Sequence, residues 1–108
     1  MQIKSKVWLE RNGKLVFGSG KAVILRAILE TGSINKAAKE LKMSYRHAWS
    51  YIKSAEKRLG QPLLICSKGG VNGGSARLTP YAEALLKKFD DLNHRVNEFV
   101  DKAYKEIF

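Results

Sequence analysis

The chain has 108 residues, with twenty Lys and Arg against ten Asp and Glu, a net charge of +10 and a hydrophobic fraction of 44%. That length is one domain, and that apolar content supports a packed core, which excludes a disordered basic tail. A single cysteine, Cys66, excludes a disulfide-stapled scaffold and fits a reducing compartment, while the cationic excess points to a polyanion, nucleic acid ahead of an anionic membrane surface.

The opening MQIKSKVWLE has no apolar core of signal-peptide type. No apolar run approaches the roughly 18–20 residues of a membrane span. A soluble, cytoplasmic domain with no membrane partner is expected. Through residue 80, fifteen cations stand against four acids, whereas the remaining 28 residues carry five against six. The last quarter of the chain therefore has a different task from the rest.

Residues 3–18 read as a β-hairpin. Val7 and Leu9 alternate with polar neighbours, Asn12-Gly13 is a type I′ turn signal, and Leu15-Val16-Phe17 follows. From Lys21 to Glu30 the apolar residues take helical spacing, and Gly32 supplies a C-terminal cap. Ser33 caps a short second helix with Ile34, Ala37, Ala38 and Leu41 inward. Ser44 caps a third that runs to about Leu59, stopped by Gly60 and Pro62. Leu63-Leu64-Ile65-Cys66 is a short apolar strand, with Cys66 a small residue in a buried strand. SKGGVNGGS (67–75) is a glycine-rich loop, and Ala76-Arg77-Leu78 completes a second hairpin over 63–78. Thr79 caps a last helix over 80–107, with Pro80 at its first position. That helix has about seven turns.

This order predicts a mainly α chain with a little β: a single winged helix-turn-helix domain spanning 1–108. The helix-turn-helix covers about 33–59, and the alanine pair Ala37-Ala38 lies where its helices cross. On the third helix, Ala48, Ile52, Ala55 and Leu59 form the core stripe, and Arg46, Ser50, Lys53 and Lys57 cluster opposite, three cations and no acid. A one-signed face on the helix after a tight turn suits a major-groove reader. Arg46, His47 and Ser50 are the candidates to read bases; Ser44, Tyr45, Lys53 and Lys57 are candidates for phosphate. The loop fails the P-loop pattern, since no Lys-Ser/Thr follows GGVNGG. It reads either as a mobile connection or as a wing tip that brings Lys68, Asn72 and Arg77 to DNA, its glycines allowing close backbone approach.

The last helix outruns a domain this small. Its apolar residues Phe89, Leu92, Val96, Phe99, Val100, Ala103 and Ile107 are expected at the interface with a second copy of the chain. Trp8 is expected to pack on its hairpin and Trp49 at the core margin, while Glu83, Asp90 and Asp91 read as solvated. His47 and His94 are far apart with no ligand cluster, and no nucleophile–base or paired-carboxylate arrangement is evident. No metal, no cofactor and no enzymatic activity are expected.

The segments GSINKAAKELKMSYRHAW (32–49) and GGVNGGSARLTPYAEALL (69–86) resemble the N-terminal DNA-binding domain of the molybdate-responsive transcriptional regulator (ModE) family, with a weaker likeness to the LysR-type winged helix in LGQPL (59–63) and Leu78-Thr79. The resemblance covers roughly residues 18–90. It implies a homodimer that binds a palindromic operator, paired through the long helix and the N-terminal strands. Ser44, Tyr45, Arg46, Ala48 and Trp49 match the family motif, which puts Arg46 at the family's basic reading position. Ala82 departs from it, standing where the family commonly has glycine. Members that sense molybdate carry further oxyanion-binding domains. Because the sequence stops at Phe108, molybdate is not expected to bind this chain, which is expected either to be a stand-alone form or to have its sensor on another polypeptide. The readings that remain open are a sequence-specific transcriptional regulator, a non-specific architectural DNA binder, and a winged-helix adaptor for another protein.

Overall fold

The computed structural model describes residues 1–67 and 74–108. Strands β1 (Trp8–Arg11) and β2 (Lys14–Gly18) form an antiparallel hairpin. Asn12 (φ 53°) and Gly13 (φ 76°) both adopt the left-handed conformation that a type I′ turn demands. The register skips between Leu9 and Glu10, leaving Val16 as the extra residue on β2. That bulge breaks the alternation, so the neighbours Val16 and Phe17 both turn into the core. The hairpin is shorter than the expected 3–18. Residues 1–7 form no strand, and Ser5 Oγ instead donates to Asn97 Oδ1 at 2.6 Å.

Three helices follow: α1 (Ser19–Thr31), α2 (Ile34–Glu40) and α3 (Tyr45–Leu59). Gly32 and Gly60 close α1 and α3 in the left-handed conformation. Ser33 accepts from the Lys36 amide and Ser44 from the His47 amide, as their positions predict. Between α2 and α3 the chain turns through Lys42 at φ 57°, held by the Met43 amide donating to the Ala38 carbonyl at 3.0 Å. Ala37 and Ala38 are buried, which lets the helices pass closely.

Strands β3 (Leu64–Ser67) and β4 (Ser75–Leu78) make the second hairpin. Its base is stitched to the helices. The Ala76 amide donates to the Gly32 carbonyl at 2.9 Å, and Thr79 donates through its amide to Leu63 and through Oγ1 to Pro62. Cys66 is exposed, contrary to the buried strand expected of it. It pairs with Ala76, but β4 is the strand seated on the helices, with Ala76 and Leu78 buried, while β3 runs along its outer side and leaves Cys66 uncovered.

Helix α4 (Pro80–Ile107) begins with the Thr79 cap on the Ala82 amide at 3.1 Å. Ala82, Leu86 and Phe89 complete the core formed by Phe17, Ile24, Leu25, Ile28, Ile52 and Leu63. Phe89 packs edge-on against Phe17 at 5.1 Å between centroids and is 3% exposed. It is thus a core residue of its own chain, not the interface residue the continuous stripe suggested. Asp90, expected to be solvated, accepts a two-pronged bond from Arg26 at 2.6 and 2.7 Å, tying α4 to α1. Beyond this point α4 projects, and the molecule measures 57 × 29 × 22 Å. No described helix is long and apolar enough to cross a membrane.

Candidate nucleic-acid interface

α3 presents its faces as the periodicity predicts. Ala48, Ile52, Ala55 and Leu59 are buried, and Tyr45, Arg46, His47, Ser50, Lys53 and Lys57 are exposed. Arg46 sits in the first turn with no ion-pair partner among the described residues. Its guanidinium fork therefore has all its donors available outward. The Ser44 hydroxyl accepts the His47 amide, and its own O–H is left to donate outward. Trp49 is 44% exposed, standing out from the core margin where it was expected to pack, with the Lys53 ammonium 5.6 Å above its ring.

The face is less uniform than its sequence. Lys53 Nζ pairs with Glu56 Oε1 at 3.1 Å. The other oxygen of Glu56 accepts from the Leu63 amide at 2.7 Å, so this carboxylate ties the start of the second hairpin to α3. Sequence reasoning missed Glu56 because its partners are backbone amides across a turn. Arg77 is exposed on β4 opposite Ile65. Lys68 and Asn72, expected at the wing tip, lie outside the described residues.

The first hairpin adds cations that the helix-centred reading did not include. Arg58 donates to the Leu15 carbonyl at 2.7 Å, and Arg11 donates back to the Leu59 carbonyl at 3.1 Å. This exchange clamps the hairpin to the C-terminal end of α3, where a cation also complements the helix dipole. Between them opens a cleft of about 480 Å³ lined by Arg11, Lys14, Lys57 and Arg58, with Ser54 at its edge. Four cations and no acid line it, an arrangement suited to a phosphate backbone.

On the other flank of α3, Lys21 from the first turn of α1 is 4% exposed, with its ammonium 4.3 Å over the Tyr51 ring. Burial, and secondarily the charge of Arg58, hold its pKa below the usual lysine value. Tyr51 in turn packs against His47, 5.8 Å between ring centroids.

The proposed pairing surface is the far part of α4. Leu92 is 41%, Phe99 73% and Ile107 75% exposed, and Val96, Val100 and Ala103 are half-buried. Among the described residues no group of three or more His, Cys, Asp or Glu is placed to hold a metal ion.

The family described as bacterial regulatory helix-turn-helix protein, lysR family, matches residues 21–83. Among curated proteins, the transcriptional regulator ModE of Haemophilus influenzae is 46% identical over 67 residues, 62% of this chain and 26% of that protein. The molybdenum-pterin-binding protein MopB of Rhodobacter capsulatus is 34% identical over 101 residues, 94% of this chain and 37% of that one. The chain thus spans between about a quarter and two-fifths of the length of these relatives. Among solved structures, the DNA-binding domain of CbnR in complex with DNA superposes with a TM-score of 0.62 at 21% identity, over 82% of this chain and 97% of that one. ZitR of Lactococcus lactis gives 0.59 at 19% identity, over 97% and 73%. At such identities these structures speak for the winged-helix fold alone.

Proposed function

The chain belongs to the lysR family of bacterial regulatory helix-turn-helix proteins, and from that membership we propose that it is a sequence-specific, double-stranded-DNA-binding transcriptional regulator that acts in the cytoplasm as a homodimer. The observation that carries this reading is α3: a serine-capped helix after a tight turn, its apolar stripe wholly buried and Arg46, His47 and Ser50 exposed at its leading end. In this reading Arg46 takes a guanine edge, and His47 and Ser50 contact neighbouring bases. Lys57 and Arg77, with Ser44, Tyr45 and Lys53, hold phosphates; so do Lys68 and Asn72 at the wing tip. The second copy pairs along Leu92, Val96, Phe99, Val100, Ala103 and Ile107, which makes the operator palindromic. The relatedness to ModE and MopB makes genes of molybdenum handling the first targets to test.

Selection from a random duplex pool tests the reading. A recovered palindromic motif bound at least ~100-fold more tightly than unrelated duplex supports it; equal retention of all sequences at physiological salt overturns it. One observation favours the second reading, a non-specific architectural binder: the hairpin cleft adds Arg11, Lys14 and Arg58, three cations outside the base-reading set. That reading predicts steep salt dependence without a recovered motif.

A further inference from the structure

Helix α1 begins differently from the other three helices. Its N-cap is Gly18, which offers no side-chain acceptor, and its first turn holds no acid. The free amides there carry the positive end of a 13-residue helix. In the same turn sits Lys21, more than nine-tenths buried, with no carboxylate and no hydrogen-bond acceptor against its ammonium among the described residues. The stem of Lys21 is buried while its ammonium keeps contact with solvent at the edge of the fold, and its partner among the described residues is the face of Tyr51.

Lys21 lines a groove of about 440 Å³ together with Lys6, Trp8, Ser19, Gly20 and Tyr51, two cations and no acid. Gly20 keeps its floor open: a Cβ there would come within 3.0 Å of the Tyr51 hydroxyl. The donors around this space are two ammonium groups, the Ser19 and Tyr51 hydroxyls and the first amides of α1, an inventory suited to a tetrahedral oxyanion. A second hollow, lined by Lys21, His47, Ser50, Tyr51 and Ser54, shares Lys21 and Tyr51 with the groove and borders the exposed face of α3.

We propose that this niche seats an oxyanion of the phosphate class, and that in the working complex the oxyanion is a backbone phosphate of the duplex that α3 reads. The assignment of DNA as the source rests on the function proposed above and on the continuity with α3; the same chemistry would accept free phosphate. On this view Lys21 is kept buried at a cost in stability because the incoming phosphate supplies its missing partner.

Two measurements on the full chain decide it. Anisotropy of a labelled duplex, repeated across a salt series, compares wild type with Lys21→Met and Lys21→Arg. We expect Lys21→Met to bind about ten-fold more weakly with a salt slope smaller by about 0.9, the value of one phosphate contact, and Lys21→Arg to restore most of both. Amide shifts of Ser19 and Gly20 are followed in parallel during titration with inorganic phosphate, and should move saturably in wild type and not in Lys21→Met. An unchanged melting temperature, or a higher one, in Lys21→Met separates the lost contact from a lost fold. Tyr51→Phe, which keeps the ring, is the second variant and should weaken duplex binding two- to three-fold. Unaltered DNA binding and salt slope in Lys21→Met, with saturable phosphate shifts in wild type, would overturn the DNA assignment in favour of a free anion. Absence of both effects would overturn the niche. Should wild type bind no duplex at all, the proposed function fails, while the phosphate titration still decides the niche.

Discussion

Helices α3 and α4 are both amphipathic, yet they use their faces in opposite ways. α3 buries every residue of its apolar stripe and turns outward a polar face whose only nearby acid, Glu56, is held by Lys53 and two amides. α4 buries Ala82, Leu86 and Phe89, then leaves Phe99 and Ile107 in the open among charges of both signs, such as the Arg95–Asp91 pair. A polar face whose charge is mostly of one sign suits a polyanion; an apolar stripe framed by mixed charge suits another protein surface. The change within α4 falls near Asp90, where the Arg26 bridge ties the helix to α1; farther on, Asn97 still accepts a bond from Ser5 of the N-terminal segment.

That contrast can be broken at several points. The largest effect is expected at Phe89→Ala, which removes a ring packed on Phe17 and should lower unfolding free energy by about 3–5 kcal/mol in denaturant titration. Ten residues on, Phe99→Asp should leave the monomer's unfolding nearly unchanged and weaken self-association by about 2–4 kcal/mol in sedimentation equilibrium. A monomeric wild type at micromolar concentration would remove the basis for that half of the contrast. On α3, Arg46→Ala should cost about 1–3 kcal/mol on a selected operator and relax base preference at one position, whereas Lys57→Ala should weaken all duplexes about equally. Ser44→Ala removes the cap that starts α3 and should cost about 1 kcal/mol in thermal unfolding.

The finest test concerns pH. Burial and Arg58 lower the pKa of Lys21 in the folded chain, so the unfolded chain holds this proton more tightly. The stability penalty is present in full below the lowered value and disappears as pH rises through it towards the unfolded value of 10.5. Lys21→Met should therefore be more stable than wild type at neutral pH, with the difference shrinking through that window in a series of urea titrations.

Local chemistry was legible in the sequence wherever it is written in neighbouring residues. The Asn12-Gly13 turn, the caps at Ser33, Ser44 and Thr79 and the glycine stops at Gly32 and Gly60 each depend on a few adjacent positions. The buried stripe of α3 followed from its period alone. What stayed hidden depends on which distant surface arrives. The stripe of α4 runs unbroken through Phe89 and Phe99, and only the arrival of Phe17 separates core from open face. Cys66 sits in a run that reads as buried, but β4 is the strand of its hairpin that lies against the helices, and β3 is left outside. Nothing beside Lys21 in the sequence marks it as buried, and it is covered because the hairpin and Tyr51 close over it. The Arg11–Arg58 exchange across the hairpin joins residues whose carbonyl partners carry no sequence signal.

The bond from the Ala76 amide to the Gly32 carbonyl, with the Glu56 carboxylate bridging α3 to the start of β3, fixes the second hairpin to both ends of the helix-turn-helix. A calliper so pinned has one span. Were α3 and the base of the ribbon both to touch DNA, as proposed, the fold and not the target would set the distance between them. Bases between those two points, touched by neither, would then be discriminated through how readily they twist, narrow or kink.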